Sequence, residues 1–479
     1  MTPPTQFAQP AFVLLAQKEF RALAQPAFVL LAQKEFRALK EVRPDLRFVD
    51  AVLVDLCGVL RGKRFPIAEA DKLFENGMQI PLTVYLMDAR GEMTDAFGRG
   101  FGDGDPDGTA WPLPGTLTPV WGESPPRAQI LMSLHETPGV PFVAEPRAVL
   151  MRVLERFAAL KLTPVVAFEL EFYLIDPARD ASGAPLPPRN PRSGRRETGP
   201  SVYGIDDLDQ YQAFLTALCE AAAEQNVPLS ATSKEYAPGQ FEANLHHVSD
   251  AARAADHAVL MKQIVHAAAR AHGFEATFMA KPFPNRAGNG LHIHISLLDE
   301  AGYNVFADGS AAGSEMLHHA IGGLQATMAE AMLLFAPNVN SYRRFQPDMF
   351  APVNRRWGVN NRSAGLRVPL GPDDARRVEH RVAGADANPY LVLAAVLAGI
   401  HHGLSQKLDP GVPASGSVSR QPDAGLPLRI EEALAKLSEQ GTLESYLGAD
   451  ALALYRETKR IEAVRLSRII PAAEYSWYL

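Results

Sequence analysis

An α+β fold in two domains is what this sequence predicts, and three observations carry the prediction. A chain of 479 residues exceeds what one hydrophobic core usually serves, so two domains are expected. Short segments alternate charged and apolar residues with the two-residue period of a strand, as in Phe168-Glu169-Leu170-Glu171-Phe172-Tyr173-Leu174 and Leu291-His292-Ile293-His294-Ile295-Ser296-Leu297. Before and between them, residues 147–161, 206–225 and 249–272 read as helices. Composition sets the class: 47% apolar and 21% charged residues describe an ordinary globular chain with ample core. A net charge of −7 with no dense Lys/Arg stretch argues against nucleic acid as a partner. Two cysteines, Cys57 and Cys219, are no disulfide framework, so a reducing, cytoplasmic setting is expected. No run approaches the ~18 apolar residues of a membrane span.

Taken in order, the chain opens on an oddity. Residues 8–23 recur unchanged at 24–39. Two identical copies are too few and too alike for a solenoid and read as a recent duplication or a cloning remnant. Each copy has Pro at a helix-start position followed by good helix formers, which predicts a short amphipathic helix, the first copy projecting or fraying. A first segment of 1–40, a domain over 41–140 and a second domain over 141–479 are the expected divisions. Residues 47–56 and 61–66 predict a hairpin around Cys57-Gly58, and Ala68 to Asn76 a short helix closed by Gly77. Residues 91–126, rich in Gly, Asp and Pro, read as loops over a small sheet. The Pro- and Arg-rich stretch 177–200 reads as an exposed loop, and Lys234 to Leu245 as two strand ends joined by Pro238-Gly239. Beyond a Pro-rich linker at 409–427, the last fifty or so residues read as helices without chemistry.

The chemistry lies in the strands. Glu169 and Glu171 share one face of an otherwise apolar strand, His292, His294 and Ser296 share one face of another, and Arg377, Glu379 and Arg381 one face of a third. Carboxylates this close resist burial unless a cation sits beside them. Carboxylates with imidazole suit Mg²⁺ or Mn²⁺, and the nearby Arg362, Arg367, Arg377 and Arg381 suit a phosphoryl group in transfer, which points to ATP. Each element alone also fits a solvated face, a hydrogen-bonded histidine pair or a salt-bridge ladder. No P-loop and no Gly-x-Gly-x-x-Gly after a strand is present.

Glu169-Leu170-Glu171-Phe172, Gly239-Gln240-Phe241-Glu242, Lys281-Pro282 with Gly288-x-Gly290-x-His292-x-His294-x-Ser296, Asn340-Ser341-Tyr342-Arg343-Arg344, Asn361-Arg362-Ser363 and Ala387-Asn388-Pro389-Tyr390 resemble the ordered signatures of the glutamine synthetase superfamily. The resemblance runs from about Arg47 to the C-terminus. It implies an N-terminal β-grasp domain, a C-terminal catalytic domain of antiparallel strands flanked by helices, and a homododecamer of two stacked hexameric rings with sites shared between subunits. It also implies residue roles. Glu171, Glu235 and Glu242 match the ligands of one divalent metal, and Glu169, His292 and Glu379 those of a second that bridges the ATP phosphates. His294, Ser296, Arg367 and Arg377 match nucleotide contacts, Gly288, Arg344 and Arg381 glutamate contacts with His292 beside them, and Arg362 the arginine that stabilises transferred phosphoryl charge.

Departures from the pattern bear on the acceptor. Ammonia-using members carry Glu-Ala-Pro where this chain reads Phe350-Ala351-Pro352. Binding NH₄⁺ and removing its proton need an anion there, whereas a phenyl ring offers apolar contact to an alkylamine. Asp88 matches an ammonium-facing aspartate, here expected to attract a cationic amine across a subunit boundary, and Ala287 replaces an asparagine of the glutamate loop. Together with Arg61-Gly62-Lys63-Arg64 and Arg343-Arg344-Phe345-Gln346-Pro347, these features resemble the γ-glutamylpolyamine branch. That resemblance implies a ligase that joins the γ-carboxylate of glutamate to an amine through a γ-glutamyl phosphate, with Asp88 and Glu235 as candidates to collect the amine's proton. Glu92 or Asp95 are candidate partners for the far ammonium of a polyamine. Glutamine synthesis from ammonia, and a catalytically silent scaffold or regulatory relative, are the alternatives.

Overall fold

The computed structural model describes residues 26–137, 139–437 and 441–479. The first repeat copy lies outside the described residues. The second forms helix α1 (Val29–Val42), which buries Val29, Ala32 and Phe36. Phe36 stacks on Phe74 at 4.8 Å between ring centroids, which anchors the amphipathic face to the first sheet's helix α2 (Lys72–Asn76). Gly77 closes α2 with φ +66°, a conformation that favours glycine.

The first sheet has seven strands: β1 (Phe48–Val54), β2 (Leu60–Pro66), β3 (Met78–Pro81), β4 (Asp107–Pro112), β5 (Thr118–Pro119), β6 (Arg127–Thr137) and β7 (Val140–Pro141). β1 and β2 form the expected antiparallel hairpin, and β1 runs parallel to β6. The expectation of loops over 91–126 needs correction, because β4 pairs with both β3 and β6. Gly108, read as a loop glycine, is a packing glycine: an added Cβ would stand 2.7 Å from Leu82 Cδ2 and 2.8 Å from the His135 carbonyl.

The second sheet has nine strands: β8 (Thr163–Arg179), β9 (Pro185–Leu186), β10 (Leu229–Lys234), β11 (Gln240–Leu245), β12 (Glu275–Thr277), β13 (Leu291–Leu298), β14 (Trp357–Val359), β15 (Leu366–Val368) and β16 (Val378–His380). Its path runs β10-β11-β8-β13-β16-β15-β14. Helices cover it: α3 (Pro146–Ala159), α4 (Ile205–Gln210), α5 (Gln212–Glu224), α6 (Ala251–Ala271), α7 (Glu315–Phe335) and α8 (Pro389–Gln406), with α9 (Ile430–Lys436), α10 (Glu444–Leu447), α11 (Ala449–Ser467) and α12 (Ala472–Tyr478) ending the chain. The helix expected over 206–225 is broken at Tyr211, which leaves helical geometry so that its buried ring can pack and its hydroxyl can donate to Glu197 Oε1 at 2.7 Å. One continuous apolar core runs through both sheets and the helices. Among the described residues, no helix is long and apolar enough to cross a membrane.

Helix α7 carries no periodic signal because it is buried on nearly every side. It meets α8 through glycines. A Cβ on Gly323 would stand 2.1 Å from the Gly399 carbonyl, and one on Gly403 would stand 2.0 Å from the His319 carbonyl. These obstacles are backbone, which cannot swing aside as a side chain can. Gly403→Ala is therefore expected to destabilise the fold by about 3 kcal/mol, read as a lowered midpoint in urea unfolding.

Candidate active site

Strand register builds the site. β8 lies between β11 and β13, and directly opposed residues in antiparallel strands hold their Cβ atoms about 4.5–5.5 Å apart. Glu171 is paired with Glu242, and Glu169 with Asn244 on one side and His292 on the other. One step along, Glu379 stands between His294 and Arg367. The reverse face of these strands presents Phe168, Leu170, Phe172, Ile293 and Ile295, all fully buried. An apolar core on one face thus presses the polar set together on the other.

His292 Nδ1 lies 3.0 Å from Glu169 and 3.9 Å from both Glu242 and Glu379. His294 Nε2 lies 2.8 Å from the other oxygen of Glu169, while its Nδ1 accepts from Arg377 Nε at 3.0 Å. That donor fixes the tautomer, so His294 carries its hydrogen on Nε2 and donates to Glu169. Among the described residues two groups bring ligand atoms within 4.8 Å of one another: Glu169, His294 and Glu379, and Glu169, Glu242 and His292. The family resemblance groups the carboxylates as Glu171, Glu235 and Glu242 and as Glu169, His292 and Glu379, with His294 on the nucleotide. In this structure Glu171 accepts the Gly290 amide at 2.6 Å, and Glu235, just past the end of β10, accepts the Ser233 hydroxyl at 3.3 Å.

Charge crowding shows in the acidities. Burial and then repulsion from Glu169 and Glu171 push Glu242 well above the carboxylate range, and burial and then Glu171 bring Glu235 up to about 7. Burial also opposes ionisation of Glu169 and Glu379, but it is outweighed by His292 and His294 at Glu169 and by Arg381 at Glu379, which is held down at about 2. Carboxylate oxygens and imidazole nitrogens gathered against their own repulsion fit a hard divalent cation such as Mg²⁺ or Mn²⁺.

The cluster forms the floor of a cleft of about 1110 Å³. Of the residues singled out in the sequence, Glu169, Glu171, Glu235, Glu242, His292 and Glu379 line it, as do Gly288, Arg344, Phe350, Arg362, Arg367 and Arg381. Arg381 and Arg367 both pair with Glu379, the latter at 2.8 Å. Arg344 is buried, donates to the Val382 carbonyl at 3.1 Å and packs under Gly288. A Cβ on Gly288 would stand 2.5 Å from Arg344 Cγ and 2.6 Å from the Ala280 carbonyl. Gly288→Ala is expected to displace Arg344 and raise the KM for a carboxylate substrate about tenfold with a smaller change in kcat, read by steady-state kinetics.

His294, Arg377 and Ser296 do not line the cleft; His294 and Arg377 stand directly behind Glu169, and Ser296 is buried further along β13. Asp88, expected to reach an amine across a subunit boundary, does not line the cleft of its own chain. Its buried carboxylate accepts the amides of Arg90 and Glu92, each at 3.0 Å, and pairs with Arg465 at 2.9 Å. Burial raises its pKa, but those amides and Arg465 outweigh burial and leave it below its ordinary value. Glu92 pairs with Arg90 at 2.8 Å and Asp95 accepts the Phe101 amide at 2.8 Å, and neither lines the cleft of its own chain. Conversely, sequence reading passed over Val202, Tyr203, Tyr236 and Asp348, which do line it. They lie on loops, where no periodicity marks a side chain; the single signal was the proximity of Tyr236 to Glu235 and of Asp348 to Phe350. Tyr236 and Phe350 pack together at 5.0 Å, and the Tyr203 hydroxyl accepts from Arg362 at 3.4 Å.

Residues 143–478 match the family model described as glutamine synthetase, catalytic domain. The chain is 41% identical to the γ-glutamylputrescine synthetase PuuA of Escherichia coli, over 91% of this chain and 92% of that protein. It is 31% identical to a glutamate–isopropylamine ligase of a Pseudomonas species, covering 89% and 93% of the two chains. It is 32% identical to a γ-glutamylethanolamide synthetase of Streptomyces coelicolor, covering 87% and 89%. The solved structures "Apo GmaS without ligand" and "GmaS/ADP complex-Conformation 1" each superpose with a TM-score of 0.79 at 28% identity, over 92% of this chain and 98% of theirs.

Proposed function

Because this chain belongs to the glutamine synthetase family, we propose that it is an ATP-dependent ligase joining the γ-carboxylate of glutamate to an amine through a γ-glutamyl phosphate. Three relatives whose names state a glutamate–amine product or activity support the reading, as does a homologous fold described with ADP. The observation that carries it is Phe350. Its exposed ring lies in the cleft against Tyr236, one residue from Glu235, where an ammonia-using site needs an anion.

Glu169, Glu171, Glu235, Glu242, His292 and Glu379 are the residues that would hold divalent metal. Metal bound there supplies positive charge to the phosphates and acts as a Lewis acid. Arg344 and Arg381 would bind the substrate's carboxylate groups by charge-assisted hydrogen bonds, with Gly288 leaving room for Arg344. Arg362, held by Tyr203, would meet charge developing on the transferred phosphoryl group, and Arg367 the nucleotide phosphates. His294, Ser296 and Arg377 would complete the nucleotide side. The amine must lose a proton before its nitrogen can form the new bond, and Glu235, whose pKa burial and Glu171 bring up to about 7, would be the carboxylate of this chain to take it. Asp88 would contribute only from another subunit, after giving up Arg465.

Such sharing fits a homododecamer of two hexameric rings. Ile469, Ile470, Trp477, Tyr478 and Leu479 are exposed apolar residues that would be covered there. In the same reading the first sheet, with β1 parallel to β6, is a β-grasp domain over 41–140, and 141–479 the catalytic domain. The test is phosphate release from ATP with glutamate fixed and the acceptor varied among 1,4-diaminobutane, ethanolamine, isopropylamine and ammonium. An amine is expected to be preferred over ammonium by at least about tenfold in kcat/KM; preference for ammonium would overturn the use made of Phe350.

A further inference from the structure

Four large, solvent-exposed apolar or aromatic residues, Val202, Tyr203, Tyr236 and Phe350, all line the one cleft. They form an apolar wall beside a strongly charged floor. Among the described residues lining the cleft, five glutamates belong to that floor, and the remaining carboxylate is Asp348. It stands two positions before Phe350, and both residues hold the left-handed backbone, with φ of +61° and +64°. Aspartate tolerates that region better than phenylalanine does, so the strain of the loop falls chiefly on Phe350.

We propose that Asp348 is a specificity-determining residue that receives the distal ammonium of a short α,ω-diamine acceptor, whose methylene chain lies along Tyr236 and Phe350. The inference rests on the ligase reading above and names the acceptor's class. A diamine presents one nitrogen to the reaction and keeps a second, protonated nitrogen, separated from the first by hydrocarbon. The cleft lining holds the matching groups: Glu235, its sequence neighbour Tyr236 packed on Phe350 with ring centroids 5.0 Å apart, and Asp348 two positions before Phe350. An ammonium passing aromatic faces also gains cation–π attraction. Asp348 is not free: its oxygens take the Ser419 hydroxyl at 3.2 Å and Arg420 at 2.7 Å. Both partners of that ion pair are solvent-exposed, so the pair is weak and a ligand cation can compete for the carboxylate. A monoamine gains nothing from this group.

The experiment compares kcat/KM for 1,4-diaminobutane with that for n-butylamine, at saturating ATP and glutamate, in the full chain and in two variants. Asp348→Asn is expected to lower the diamine-to-monoamine ratio about fivefold, through KM for the diamine. A ratio that does not change, or equal loss on both amines, overturns the role of Asp348 while leaving the ligase reading standing. Arg420→Gln, which frees the carboxylate, is expected to hold or raise the ratio, and a fall would overturn the proposal by making the ion pair the essential element. If no amine supports phosphate release in the unmodified chain, the ligase reading itself fails, and this proposal with it.

Discussion

Glu379→Gln is expected to lower ATP-dependent phosphate release by more than about a hundredfold with every acceptor. The carboxylate is almost wholly buried, pairs with both Arg367 and Arg381, and stands with Glu169 and His294 in one of the two tight donor groups. Glutamine keeps the shape but removes the charge, so two arginines lose their shared anion and the proposed metal-holding set would lose one ligand. A buried charge stripped of its partner also costs stability, of the order of 3–5 kcal/mol. The measurement therefore couples phosphate release with thermal unfolding, at a temperature where the variant is folded. Activity within about threefold of the parent in a folded variant would overturn the assignment of the cluster as the metal-holding centre. In the unmodified chain, chelating divalent cations is expected to stop turnover and restoring Mg²⁺ to recover it.

Phe350→Glu is expected to raise kcat/KM for ammonium by at least about tenfold and to lower it for alkylamines. The exposed ring lies in the cleft against Tyr236, the sequence neighbour of Glu235, so in the ligase reading a carboxylate there would place an anion where ammonium binds and loses a proton. The same change removes apolar surface that an alkyl chain would cover at about 25 cal/mol per Å². The left-handed backbone at Phe350 already strains a side-chain-bearing residue, and glutamate adds little to that. Initial rates with ammonium and n-butylamine in parallel decide it. An unchanged acceptor profile would show that the nitrogen is selected elsewhere.

Much of the fold and the cleft floor was legible because strands carry a strict period. Two-residue alternation put Glu169 and Glu171 on one face and His292 and His294 on another, and the β8–β13 pairing joins those faces. The Lys234 to Leu245 turn and the helices at 146–159 and 251–271 were likewise readable from Pro-Gly and 3.6-residue signals. Elements without such a period were missed. β4 hid among glycines and prolines, and α7 hid because a helix buried on nearly all sides shows no amphipathic stripe.

By itself the sequence determined which residue types face together along each strand, hence faces of carboxylates, imidazoles and arginines, and, through the family resemblance, a phenyl ring at the position where ammonia-using members carry an anion. Tertiary structure decided the rest. It set the tight donor groups, placing His294 beside Glu169 and Glu379 and His292 beside Glu169 and Glu242, with Glu171 taking the Gly290 amide. It also brought Tyr203, Tyr236 and Asp348, from separate loops, to the wall of the cleft, while committing Asp88 to Arg465. The physical reason is that alternation along a strand fixes a face but not its partner, and loop side chains have no period at all, so long-range packing alone sets what they meet.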